Sequence, residues 1–188
     1  MAALNLNHPI FTIIKKEHKE ILERLKDLKT IQDYSQLVNW LWSFVEEHHH
    51  QKEESILFDF VKDNPKLHEG GPFCVYYFDY FMNDRPSDYC QKHFGKQPEI
   101  TPSQQKFYDK SSPIRIPIEE HRAGKEILSY LIKNNATLSK EDYLKYLTKY
   151  KELQELHFNK EESCFFHLCS MMITEIEADT LYQEWLKS

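Results

Sequence analysis

Glycine is scarce in this chain, with 4 in 188 residues, while 40% of the residues are hydrophobic. That balance excludes a turn-rich β architecture and points to helices. A basic surplus is also missing. The formal net charge of -6 excludes the cationic surface that a phosphate backbone requires, so no nucleic-acid partner is expected. No apolar run approaches the roughly 20 residues of a membrane-spanning helix. The opening MAALNLNHPI lacks the basic-then-apolar order of a secretory signal, so no membrane association and a cytoplasmic location are expected. The four cysteines, Cys74, Cys90, Cys164 and Cys169, show no paired metal-ligand spacing and read as reduced thiols. Length alone suggests one domain over 1–188 with a core of its own.

What is present is helical periodicity. A first helix is predicted from about Pro9 to Leu28, its inward stripe being Ile14, His18, Ile21, Leu25 and Leu28. A second runs from about Tyr34 to Val61, with Val38, Trp42, Val45, His49, Glu53, Ile56 and Phe60 on one face. The third starts near Pro117 and reaches about Lys133, with Ile118, His121, Leu128 and Leu131 inward. The fourth opens at Ser139, a good N-cap, and continues to about Cys169. Its stripe is Tyr143, Leu147, Tyr150, His157, Glu161, Cys164 and Leu168. A short helix from Glu175 to Leu186 is expected on the outside. The fold class is therefore all-α, an up-down-up-down four-helix bundle with a short C-terminal helix.

Between the second and third helices lies an insertion, at about 68–113. Connections in bundles usually span about 2–8 residues, so this one reads as a lid or partner surface. Its first part, GGPFCVYYFDYFM, predicts an aromatic helix from Pro72, and the part from Asp84 to Pro113 reads as irregular.

The bundle helices carry a repeat. HHQKEESILF from His49 aligns with HFNKEESCFF from His157, sharing His-x-x-Lys-Glu-Glu-Ser. KEHKEIL around His18 is echoed by EEHRAGKEIL around His121. His and Glu four apart share a helix face, and both His49/Glu53 and His157/Glu161 fall on the apolar stripes. Glutamate is almost never buried unless it is paired or bound to a cation. Two glutamates and four histidines facing inward on four helices call for a common compensation, which a metal centre supplies. The competing reading is a polar network in a helical core.

A mixed imidazole–carboxylate set suits iron, manganese or zinc, and six donors exceed the needs of one tetrahedral zinc. Two carboxylates among four imidazoles can each span two ions. Two iron ions are the favoured cofactor, with Fe/Mn or zinc as alternatives. His50 and Glu54, one residue round the helix beside Asn39, Ser43 and Glu46, are additional candidates, read as an outer layer or a solvated face. Lys52 and Lys160 are assigned to polar faces, and Tyr150 to the core. Ferritin-type Glu-x-x-His spacing is met by Glu46/His49, but the repeat has Gln154 opposite Glu46, so that class is rejected.

The segments HPIFTIIKKEH, HHQKEESILF, EEHRAGKEIL and HFNKEESCFF together resemble the hemerythrin-like, His-His-Glu cation-binding domains. The resemblance covers about Asn7 to Leu67 and Ile114 to Cys169. It implies that His18, His49, Glu53, His121, His157 and Glu161 are iron ligands, the two glutamates bridging. It further implies a small ligand such as dioxygen, nitric oxide or hydrogen peroxide. The oxygen carriers of that family have a second histidine four residues after the third-helix one, where this chain has Lys125. One ion is then short of an imidazole and has either an open position or a substitute ligand. Asp79-Tyr80, in the stretch that follows a Gly-Pro helix start, makes Tyr80 a further candidate. The leading expectation is a diiron protein that binds or reduces such a ligand, with peroxidase or oxidase turnover as its enzymatic form. The alternative is a metal-dependent sensor whose insertion contacts a protein partner.

Overall fold

The computed structural model describes residues 3–68, 85–108 and 112–188. Among these residues the chain is helical and contains no strand, as the scarcity of glycine predicts. The aromatic helix expected from Pro72, and with it Asp79 and Tyr80, lies outside the described residues.

Helix α1 spans Pro9–Arg24, four residues shorter than its periodicity suggests. His8 caps it, its ring nitrogen accepting from the Ile10 N–H, and Pro9 fills the first turn, where no backbone donor is needed. Helix α2 is continuous over 34–61 but changes pitch. It is α-helical over Tyr34–Leu41, π-helical over Trp42–His49, α-helical over His50–Lys52, π-helical again over Glu53–Phe58, and ends with Asp59–Val61.

The part of the insertion expected to be irregular contains a helix, α3, at Pro86–Phe94. Its signals are Pro86 in the first turn, Asp88 close behind, and Gly95 after the end with φ +69°, the left-handed cap that glycine allows. Helix α4 spans Arg115–Lys133, starting two residues before the predicted Pro117. Proline is tolerated there because the first turn leaves its N–H groups unpaired anyway. Helix α5 runs over 140–172, capped by Ser139, and has its own π-helical turn at Glu161–Phe165. A capping box of Thr174 and Glu177 starts α6, Glu175–Lys187.

Helix α1 packs on α2 and α5, and α4 packs on α2 and α5, so the four close a ring. The insertion's α3 lies on α4, and α6 lies across α1 and α2. Two apolar clusters fill the bundle. One gathers Phe11, Ile14, Leu57, Phe58, Phe165 and Trp185, and the other Leu25, Val45, Leu128, Leu147 and Tyr150. His18, His49, His121 and His157 form a polar layer of none of these apolar residues, buried with the carboxylates Glu53 and Glu161. No described helix is long and apolar enough to cross a membrane.

The π turns change which residues face inward. An i→i+5 turn takes in about one more residue than an α turn, so everything after it lags round the axis. Phe60, on the predicted stripe, is 42% exposed, while Leu57 and Val61 are buried. This gives a direct test of register. Leu57→Ala is expected to cost about 2–5 kcal/mol of unfolding free energy. Phe60→Ser should stay within about 0.5 kcal/mol. Chemical denaturation of the metal-free protein measures both, and a cost for Phe60→Ser comparable to that for Leu57→Ala would restore the unperturbed α register.

Candidate metal centre

Each bundle helix delivers its ligand candidates at the level of the polar layer. Helix α1 brings His18, α2 brings His49, His50 and Glu53, α4 brings His121, and α5 brings His157 and Glu161. All seven are at most 2% exposed. His50, expected on a solvated face, is therefore in the interior. The equivalent Phe158 is buried beside His157 in the same way, on an ordinary α-helical stretch. Two successive positions face inward in both helix pairs because the neighbouring helix covers both, His50 stacking on His121 as Phe158 stacks on His18.

The donor atoms fall into two groups that share one carboxylate. His18, His49 and Glu53 form one, and His50, His121, His157 and Glu53 form the other. Glu53 Oε1 lies 3.6 Å from His18 Nε2 and 3.5 Å from His49 Nε2. Its Oε2 lies 3.4 Å from His121 Nε2. Glu161 Oε2 lies 3.4 Å from His18 Nε2 and 3.6 Å from His157 Nε2. Two ligands about 2.1 Å from one ion, at a tetrahedral angle, are about 3.4 Å apart. The spacing suits shared cations better than direct hydrogen bonds.

The outer ring nitrogens are all engaged. Nδ1 of His18 meets Glu162 Oε1 at 2.8 Å, that of His49 meets Glu17 Oε2 at 2.8 Å, and that of His50 meets Glu46 Oε2 at 3.2 Å. Nδ1 of His121 meets Glu54 Oε1 at 3.0 Å, and that of His157 meets Glu120 Oε2 at 3.1 Å. Five imidazoles thus have five carboxylates behind them. A carboxylate accepts, so each Nδ1 carries the proton and each Nε2 presents a bare lone pair to the interior. His121 Nε2 and His157 Nε2, only 3.1 Å apart, are then two acceptors facing each other. That arrangement is repulsive without a cation between them.

The remaining inward atoms are orphans. Nε2 of His18, His49 and His50, and both oxygens of Glu53 and of Glu161, are buried without a hydrogen-bond partner. Leaving so many polar atoms unpaired costs several kcal/mol in aggregate unless something compensates them. Burial and the repulsion of Glu161 push the Glu53 carboxyl up to about 8. Burial, reinforced by neighbouring imidazoles, holds His49, His121 and His157 well below the ordinary histidine range. Against the cost of burial, the carboxylates of Glu161, Glu162 and Glu53 raise His18, and that of Glu46 raises His50, so without a cation these two rings take up protons in partial compensation. A bound divalent cation would replace those protons and restore the ionised form of Glu53. The residues present fit a dinuclear metal group.

The repeat read from the sequence becomes a pseudo-twofold arrangement of these bonds. Within a helix pair, the glutamate before the first histidine orients the second, as Glu17 does His49 and Glu120 does His157. Across pairs, the second glutamate of Lys-Glu-Glu-Ser orients the other pair's first histidine, as Glu54 does His121 and Glu162 does His18. The symmetry breaks at one place. His50 stacks on His121 with centroids 3.8 Å apart, and the equivalent Phe158 stacks on His18 at 4.0 Å. The imidazole missing at Lys125 thus has a stand-in on α2. Lys125 itself is exposed, with Nζ 5.4 Å from the Trp42 ring.

Gly124 keeps space beside this network. A Cβ there would come within 3.1 Å of Gln154 Nε2 and 3.3 Å of both Glu46 Oε1 and Tyr150 Cε2. Tyr150, assigned to the core, is buried and also donates to Glu46 Oε1 at 3.1 Å. The two lysines of the repeat do not sit on solvated faces. Lys52 is 7% exposed, and Lys160 is ion-paired with Glu120. The sequence does carry the outer carboxylates, as Glu-His and Glu-Glu pairs, but a linear pattern does not say which histidine each one reaches.

Residues 10–72 match the model of a known family, described as the hemerythrin HHE cation binding domain. Over those residues, which take in α2, all but the first residue of α1 and the donors His18, His49, His50 and Glu53, the chain is similar to that family. No curated protein and no solved structure matches the chain. Metal removal should expose the cost of the orphaned atoms. At free metal a hundredfold above Kd, binding adds about 2.7 kcal/mol. At about 2–4 °C per kcal/mol for a chain of this size, Tm should rise by roughly 5–10 °C over the chelated protein. Calorimetry with and without chelator reads this directly, and an unchanged Tm contradicts the cation-binding role.

Proposed function

We propose that this chain is a non-haem diiron protein that binds or reduces a small diatomic or peroxide ligand, dioxygen, nitric oxide or hydrogen peroxide. The observation that carries the reading is the unequal nitrogen count. Three imidazoles, His50, His121 and His157, surround one position, and two, His18 and His49, the other. Phe158 occupies the place where a third would stand. A position with fewer protein donors has room for an exogenous ligand. The wholly nitrogen and oxygen donor set favours iron, with manganese or zinc as alternatives. When bound, two iron ions would supply exchangeable electrons and a Lewis-acid position for the ligand.

The chain's own residues do the rest. The five outer carboxylates fix the tautomer and orientation of the imidazoles. Glu53 spans the two groups and Glu161 lies across His18 and His157. Access differs between the two sides. A cleft of ≈ 450 Å³ is lined by Leu22 and Phe158, the latter stacked on His18, together with Lys15, Glu155, Asn159, Glu162 and Ser163. The equivalent cleft of ≈ 320 Å³ beside His121 has Lys125 and His50 at those positions, and Gln104 from the insertion at its edge. The Leu22/Phe158 side is the better path for an uncharged diatomic molecule. Enzymatic turnover, if present, would be of peroxidase or oxidase type, in a cytoplasmic setting consistent with the free thiols Cys90, Cys164 and Cys169.

A second reading, a metal-dependent sensor without catalysis, is favoured by the direct bond between the insertion's Gln104 and Glu54. It would use the insertion as the surface for a protein partner. The two readings separate on one experiment. Protein loaded anaerobically with ferrous iron is mixed with nitric oxide, dioxygen or peroxide and followed by visible absorption and iron content. The proposal expects about two irons per chain and a ligand-dependent spectral change with at least one of the three. Full loading with no response to any ligand overturns it. His50→Ala is expected to weaken one of the two irons by at least tenfold, judged by chelator competition.

A further inference from the structure

We propose that Gln104, in the insertion, and Trp185, on α6, are positioning residues of the metal centre, each fixing one histidine through one carboxylate. The inference rests on the dinuclear reading above. It concerns two segments outside the four helices that carry the site.

The two paths are short. Gln104 Nε2 donates to Glu54 Oε1 at 2.8 Å, and the same oxygen accepts from His121 Nδ1 at 3.0 Å. Gln104 is 7% exposed, and its own carbonyl accepts from the Thr101 N–H at 3.3 Å, which fixes the amide. Arg122, the neighbour of His121, clamps the same segment through the carbonyls of Pro98 and Glu99. On the other side, Trp185 Nε1 donates to Glu17 Oε1 at 3.0 Å, and Glu17 Oε2 accepts from His49 Nδ1 at 2.8 Å.

The repeat shows that neither donor is incidental packing. Glu120, equivalent to Glu17, accepts from Lys160. The equivalent Lys52 makes no such bond to Glu17. Its Nζ instead stands 3.1 Å from His48 Nε2 and 5.2 Å from the centroid of the Trp185 ring. A neutral indole N–H therefore takes the place of an ammonium. Glu162, equivalent to Glu54, is open to solvent at 38% side-chain exposure, where Glu54 is held by Gln104. Each added segment thus supplies one donor to one carboxylate. A carboxylate with one oxygen held this way resists rotation, and it keeps the Nδ1–H tautomer that turns Nε2 inward. The two donors serve different groups, Gln104 that of His121 and Trp185 that of His49.

Cobalt(II) titration, followed by its visible absorption and by chelator competition, tests this on the full chain. The unaltered protein is expected to take up two equivalents. Gln104→Leu should weaken one of them by about tenfold, and Trp185→Phe, which keeps the ring but loses the N–H, should weaken the other by about as much. Gln104→Glu, which sets a carboxylate against Glu54, is a second variant of the same size and should act like Gln104→Leu. In a His50→Ala background, Gln104→Leu should leave the remaining tight equivalent intact while Trp185→Phe should weaken it. Metal-free melting of the variants is recorded in parallel. Variants that bind two equivalents with unaltered affinity overturn the proposal. So do variants that weaken both equivalents alike in step with a loss of metal-free stability. Fewer than two equivalents on the unaltered protein overturns the dinuclear reading and this inference with it, a result distinguishable from two equivalents with indifferent variants.

Discussion

The structure depends on a conflict between burial and charge at the level of Glu53 and Glu161. Neither carboxylate has a hydrogen-bond partner, and three of the surrounding imidazoles also present unpartnered Nε2 atoms. Apolar clusters lie on the helices around this layer, so water is a poor substitute for a missing partner. An ionised carboxylate in such surroundings costs several kcal/mol. The layer is tolerable only as half of something, and a pair of cations is the half that its donor geometry fits.

Around that centre the polar groups are ordered in shells with alternating roles. Nε2 lone pairs face inward and Nδ1–H groups face five carboxylates, of which Glu120, Glu46, Glu17 and Glu54 are held in turn by Lys160, Tyr150, Trp185 and Gln104, while Glu162 is open to solvent. Each shell leaves the next with one chemical option. A carboxylate that already accepts from an outer donor accepts a second proton donor from the imidazole, which leaves the imidazole a lone pair for a cation. The folding of the outer segments and the electronic state of the donors are therefore linked.

The two helix pairs repeat this scheme, and their differences carry the functional asymmetry. His50 against Phe158, Lys125 against Leu22 and Glu46 against Gln154 make one side richer in imidazole and charge than the other. A symmetric pair would give two equivalent positions. In the proposed diiron reading, unequal surroundings would let one position be filled by the protein while the other stays available.

The sequence determined the helical class, the two helix pairs and the inward placement of His18, His49, Glu53, His121, His157 and Glu161. Side-chain periodicity and the repeat are properties of the chain itself, and a His-x-x-x-Glu pair shares a face on any α or near-α helix. Helix α3 at Pro86–Phe94 was legible too, in Pro86 and Gly95, once its caps are weighed above its polar composition. The tertiary structure alone decided the burial of His50, the exposure of Phe60, the carboxylate behind each histidine and the attachment of the insertion and α6. His50 is buried because α4 packs over it and its ring stacks on His121, a contact between helices that a single helical wheel does not contain. The carboxylate pairs join residues as far apart in sequence as His18 and Glu162. Only the closing of the ring of helices brings such groups within hydrogen-bond reach.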